Sequence, residues 1–262
     1  MALDLVKDPW ELALMRQSGR RLAEVVQGLR EAVREGVSTL ELDELAETHI
    51  RKLGGVPSFK GYQVGPNVFP ATICASPNEQ VVHGIPTDVS LKSGDIISID
   101  VGLIYGGYHS DSAFTIAIGD VDAEVAHLLD VTEKSMYMGI AQALSENRIG
   151  DIGHAVETFV KPHGFGIIQD YVGHGIGRAL HEPPSVPNYG KPRKGRLIKT
   201  GMCLAVEPMV TMGTWKTKTL SDGWTVITAD RSLAAHFEHT VAVTPRGPEV
   251  LTVLDGQNPL LT

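Results

Sequence analysis

The sequence predicts an α/β chain of two similar halves, each carrying an acidic residue to a shared centre. Apolar residues recur at helical spacing near the start, two β-rich runs flank Gly106-Gly107, and one order of motifs occurs twice.

Residues 10–34 place Leu12, Met15, Leu22, Val25, Val26 and Leu29 on one face and charges on the other, which predicts an amphipathic helix. A second helix follows the turn at Gly36. Ser38 or Thr39 caps it, Leu42, Leu45, Ala46, His49 and Ile50 line its inner face, and Gly54-Gly55 ends it. The stretch from Pro57 to Pro70 is rich in Pro, Gly and Asn and reads as loop. From Ile96 to Ile118 the pattern is that of a hairpin. The order then repeats. Glu47-Thr48 and Glu157-Thr158 sit in helices ending near Gly54 and Gly164, and His83-Gly84-Ile85 and His174-Gly175-Ile176 follow. Lys92-Ser93-Gly94 leads to Asp100, and Lys199-Thr200-Gly201 to Glu207, the carboxylate standing eight residues after the Lys each time.

No linker or low-complexity tract divides the 262 residues, so a single two-lobed domain over 1–262 is expected. A net charge of −8 argues against a nucleic-acid groove. The two cysteines, Cys74 and Cys203, imply no disulfide framework and fit a reducing compartment. Met1 to Trp10 lacks the apolar core of a signal peptide, and no stretch approaches the roughly 18 apolar residues of a membrane span. A cytoplasmic location, with no membrane or nucleic-acid partner, is therefore expected.

Asp100 and Asp111 are equidistant from a point between Tyr105 and Gly106. A hairpin closing there sets the two carboxylates opposite each other, an arrangement that calls for a cation between them. The bland alternative is two exposed aspartates on a solvated edge. Glu207 ends the apolar run Met202–Val206, where an unpaired carboxylate is costly unless it points into water. Glu238 leads into the strand-like Val241-Ala242-Val243 and is weak on its own. His174 lies in Gly173-His174-Gly175-Ile176-Gly177, whose glycines let the backbone bring an imidazole close to a partner; a structural histidine is the alternative. No phosphate-loop signature accompanies these glycines. Four carboxylates with one imidazole suit two divalent cations and not a structural zinc. Two such ions can activate water and hold a substrate carbonyl, which is the chemistry of hydrolysis.

Seven segments in order, PSFKGY (57–62), CASPNEQVVHGIP (74–86), GDIISIDVG (94–102), YHSDSAFT (108–115), YVGHGIGRALHEPP (171–184), GMCLAVEP (201–208) and HFEHT (236–240), make the chain resemble the type I methionine aminopeptidases. The resemblance covers nearly the whole chain and is to the minimal bacterial form. It implies a pita-bread fold, two related α/β halves around a central antiparallel sheet. It implies Asp100, Asp111, His174, Glu207 and Glu238 as ligands of two divalent cations, drawn from Co, Mn, Fe or Zn. It implies Glu207 as the proton-transferring carboxylate and His83 and His181 as non-ligand histidines beside the scissile peptide. Phe69, Cys74 and Trp224 become candidates for the methionine pocket, with core packing the alternative for Cys74 and Trp224. The implied substrates are N-termini of nascent polypeptides with a small second residue. The ribosome near its exit tunnel is the implied partner, and a monomer the expected state.

Two departures stand out. Gln63–Val68 lengthens the loop before Phe69, which puts the pocket wall in question, and His236 stands where a glutamine is common. His236 reads either as an extra imidazole or as a solvent-facing residue. The competing functions are an Xaa-Pro peptidase on the same fold and a binding module that has lost its metals.

Overall fold

The computed structural model describes residues 5–254. Two helices open the chain, α1 (Pro9–Ala32) and α2 (Thr39–Lys52). Asp8 caps α1 and Ser38 caps α2. Each cap accepts from the backbone three residues on, while Glu11 or Glu41 bonds back to it. Strands β1 (Val56–Pro57), β2 (Gln63–Val64), β3 (Asn67–Val68), β4 (Ile73–Pro77), β5 (Gln80–Val82), β6 (Ile96–Tyr105) and β7 (Tyr108–Ala117) follow. A second helix pair, α3 (Ala123–Ile140) and α4 (Ile149–Val160), opens the second half. Then come β8 (Gly166–Ile167), β9 (Gly173–Gly175), β10 (Glu182–Val186), β11 (Cys203–Val206), β12 (Met209–Thr211) and β13 (Thr217–Thr219). The last strands are β14 (Val226–Thr228), β15 (Ala234–His236), β16 (Glu238–Thr244) and β17 (Gly247–Val250).

The main sheet is antiparallel in the order β1-β6-β7-β16-β11-β9-β10, with β4 also on β6 and β17 also on β16. The two halves therefore meet where β7 pairs with β16. Along β6, Ile97, Ile99, Val101 and Leu103 share one face and join Leu22, Val25 and Leu29 of α1 in the core. Ser98, Asp100 and Gly102 occupy the other face, so alternation along one strand separates the core from the site. Among the described residues no helix is long and apolar enough to cross a membrane.

Three expectations need correction. The hairpin closes between Gly106 and Gly107, pairing Tyr105 with Tyr108. Asp100 then faces Ala113 and Asp111 faces Gly102, so the aspartates are diagonal neighbours on one face rather than direct partners. On α2, Leu45 is exposed and Asp43 takes the buried position. The Asp43 carboxylate accepts the backbone N–H groups of Thr72 and Ile73 at 2.7 and 2.9 Å, which fixes the start of β4. The stretch between Pro57 and Pro70 is not loop throughout. It holds the β2–β3 hairpin, closed by Gly65-Pro66 with Gly65 at φ +56°, the left-handed angle such a two-residue turn requires.

Ser18 ties α1 to the central hairpin. Its buried hydroxyl lies 3.1 Å from the carbonyl oxygens of Leu103 and Tyr108 and 2.9 Å from Ser110 Oγ. Ser18→Ala leaves those groups short of a partner and should lower the unfolding free energy by about 1–2 kcal/mol. Urea titration checks this: the midpoint falls with the slope unchanged, whereas an unaltered midpoint would mean that the hydroxyl contributes nothing.

Candidate metal centre and pocket

Five adjacent strands each bring one side chain to a common point. Asp100 comes from β6, Asp111 from β7, Glu238 from the start of β16, Glu207 from the residue after β11, and His174 from β9. The register explains the convergence. Asp100, Ala113 and Glu238 lie in one cross-strand row, with the small Ala113 between the two carboxylates. Val206 pairs with His239, so the next position along aligns Glu207 with Glu238. Ligand atoms of Asp111, His174 and Glu238 all lie within 4.8 Å of one another. His174 Nε2 is 3.4 Å from Glu207 Oε1.

Hydroxyl groups hold these strands in place. Thr240 Oγ1 donates to the Asp111 carbonyl at 2.8 Å and accepts the Asp111 N–H at 2.9 Å. Ser112 Oγ donates to the Glu238 carbonyl at 2.9 Å. Thr115 Oγ1 does both jobs for the backbone of His236. His174 Nδ1 donates to the Gly175 carbonyl at 2.9 Å, which turns the bare Nε2 toward the carboxylates.

Burial controls the charge here. It lifts the Asp100 carboxyl to about 7, and it raises Asp111, Glu207 and Glu238 well above the ordinary carboxylate range, with mutual repulsion adding to the effect. Burial also depresses His174 to about 3 and His83 to about 4, and lowers His181. Among the described residues Asp100 Oδ1 and Glu238 Oε1 are buried with no hydrogen-bond partner, and no Lys or Arg lines the cavity. A divalent cation would supply what these oxygens lack.

The carboxylates line a cavity of about 260 Å³. His83, His181, Phe69, Cys74 and Trp224 line it too. Phe69 meets Trp224 edge-on at 5.2 Å, and Cys74 pairs directly with Asp100 across β4 and β6. The Cys74 thiol is held protonated by burial and by the nearby aspartates. His83 lies between Tyr171 and Trp224 and has φ +60°, a strained angle for a histidine and one that clusters at functional sites. His236 is 2% exposed, not solvent-facing, and its Nε2 sits 3.8 Å from Glu207 Oε2. Tyr62 is a site residue that the sequence reading left unassigned. Its hydroxyl is 2.7 Å from His181 Nδ1, and the motif PSFKGY was its only signal.

A sequence model of metallopeptidase family M24 matches residues 13–245. The methionine aminopeptidase of Clostridium perfringens is 48% identical over 250 residues, 95% of this chain and 99% of the relative. Methionine aminopeptidase 1 of Bacillus subtilis is 48% identical over 248 residues, with 95% and 98% covered. The crystal structure of methionine aminopeptidase from Thermotoga maritima superposes with a TM-score of 0.91 at 39% identity, covering 95% of this chain and 98% of that one. A prolidase from Pyrococcus furiosus superposes with a TM-score of 0.76 at 20% identity, the match taking in 66% of its length; that likeness is one of fold alone, the pita-bread fold.

The carboxyl shifts set a pH dependence for the metal-free protein. Above pH about 7.5, unfolded carboxylates are ionised and unfolded imidazoles are almost wholly neutral. Carboxyl groups raised by folding hold protons that the unfolded chain has lost, so stability falls as pH rises, for Asp100 until about 7 and for the more strongly raised groups beyond it. The depressed histidines act in the opposite sense, and their share dies away about one pH unit above their ordinary value of 6.5. In chelator, urea unfolding between pH 7.5 and 8.5 should show a loss of about 1.4 kcal/mol per pH unit for each proton still held. Saturating Mn should flatten the slope. A metal-free midpoint that rises over this range would refute the assignment of raised carboxyls.

Proposed function

The chain belongs to metallopeptidase family M24, among its methionine aminopeptidases, and from that premise we propose how its own residues remove an N-terminal methionine. It is a metal-dependent aminopeptidase that hydrolyses the peptide bond after that residue. One observation carries the assignment of parts: five ligand-type side chains from five neighbouring strands share a cavity with His83, His181, His236 and an aromatic wall.

Asp100, Asp111, His174, Glu207 and Glu238 would hold two divalent cations drawn from Co, Mn, Fe or Zn. When bound, such a pair lowers the pKa of water and polarises the substrate carbonyl. Glu207 takes the proton of the attacking water and delivers it to the leaving amine. His83 and His181, both with depressed pKa values, stay neutral near pH 7 and hydrogen-bond the scissile peptide as its carbonyl oxygen gains charge. A Tyr62 hydroxyl that donates to His181 Nδ1, 2.7 Å away, would leave the ring hydrogen on Nε2, available to the peptide. Phe69, Cys74 and Trp224 enclose the methionine side chain, which is unbranched and polarizable and suits aromatic and sulfur neighbours. The second residue lies against the ligand carboxylates and the histidines, where only a small side chain fits. The chain is read as one domain of this type. It acts as a monomer on the N-termini of nascent polypeptides in the cytoplasm, near the ribosomal exit tunnel.

Chelation with EDTA should abolish hydrolysis of Met-Ala-Ser, and Mn or Co should restore it. Full activity in protein shown by elemental analysis to hold no metal would refute the reading. Glu207→Gln keeps one ligand oxygen but accepts no proton, so kcat should drop about 10²–10⁴-fold at full metal occupancy. Near-normal kcat in that variant would remove Glu207 from proton transfer.

A peptide panel tests the pocket through kcat/KM. Met-Ala, Met-Gly and Met-Ser N-termini should be cleaved well, Met-Leu and Met-Arg poorly, and Leu-Ala less well than Met-Ala. Equal rates on Leu-Ala and Met-Ala would refute the methionine pocket. Cleavage confined to Xaa-Pro peptides would favour the prolidase reading.

A further inference from the structure

The β2–β3 hairpin carries an apolar surface that the aminopeptidase reading leaves unused. Val64 pairs with Asn67, and the Phe69 N–H donates to the Tyr62 carbonyl at 2.8 Å. Side chains alternate along each strand, so Tyr62, Val64, Asn67 and Phe69 share one face, and Gln63 and Val68 share the other. The first face looks into the cavity, since Tyr62, Val64 and Phe69 all line it. Phe69 is buried at one end of that face, whereas Val64 is 55% exposed at the cavity mouth.

The hairpin is held in this position at both sides. Tyr62 is hydrogen-bonded to His181 on one side. On the other, Asn67 packs over Gly223, where an added Cβ would come within 2.8 Å of the Asn67 side-chain nitrogen. Gly223 immediately precedes the pocket residue Trp224.

We propose that Val64 forms a subsite for the third residue of the peptide substrate and favours an aliphatic side chain there. The proposal rests on the aminopeptidase reading. A polypeptide whose first side chain lies against Phe69 must leave through the mouth. In an extended peptide the first and third side chains point the same way, roughly 7 Å apart, which is also the rise from Tyr62 to Val64 along the hairpin. The third side chain thus passes over Val64, an exposed aliphatic group.

The test uses the full-length, Mn-loaded enzyme and two peptides, Met-Ala-Leu-Ser and Met-Ala-Ser-Ser. The ratio of their kcat/KM values should favour leucine about three- to tenfold, the scale of partial burial of one aliphatic side chain. V64S should bring the ratio close to one, with the change in KM. V68S alters a 53%-exposed valine on the opposite face and should keep the ratio. A wild-type ratio near one overturns the subsite. So does a ratio that survives V64S, or one that V68S removes equally. Failure to cleave either peptide overturns the aminopeptidase reading itself, and the subsite with it.

Discussion

Four carboxyl groups, Asp111 and Glu238 buried and Asp100 and Glu207 half-buried, share one cavity, and among the described residues no lysine or arginine lines it. This is the constraint on which the rest of the structure depends. Ionised carboxylates in such a place repel each other and lack the solvation of water, so they stay protonated or take up a cation. A buried lysine–glutamate pair, Lys7 with Glu182 at 2.5 Å, is formed elsewhere, and neither residue lines the cavity. The protein therefore keeps its own positive charge away from the centre and leaves neutralisation to protons or metal.

Holding that cluster requires precise strand register. A one-residue slip of β7 against β6 would turn Asp111 into the core and Ser112 toward the site. On the other side of β7, Thr240 and Ser112 fasten it to β16 and Thr115 fastens it to β15, each through a side-chain bond to backbone. Asp43 does the same for β4 and hence for Cys74 opposite Asp100. The helices contribute indirectly. Their apolar faces cover the reverse side of β6, which leaves the Asp100 face free to carry polar groups.

Much of this was legible in the sequence because the signals were local. A carboxylate at the end of an apolar run marks a buried acidic group, as at Asp100 and Glu207, and glycines around His174 mark close backbone approach. Equal spacing of the two aspartates about Tyr105-Gly106 does not set the hairpin register; the turn does. Gly106 and Gly107 have φ of +59° and +82°, a two-residue turn whose centre lies between them, and that turn chemistry alone would have paired Tyr105 with Tyr108. The β2–β3 hairpin was hidden by Pro66 and Gly65, which signal turn and strand end alike. Tyr62 and His236 could not be read from spacing. Their importance comes from partners far along the chain, His181 and Glu207, which only the fold brings near.

The central claim is that buried carboxyl groups hold protons until metal replaces them. Calorimetric titration of the chelator-stripped protein with Mn at pH 7.5, repeated in buffers of different ionisation enthalpy, measures the protons released on binding. His174, depressed to about 3, is neutral at that pH and releases none. The account predicts release of at least one proton per chain, from carboxyl groups that would be fully ionised in water. Metal binding with no proton release would show that the carboxylates are already ionised in the folded protein, and would contradict it.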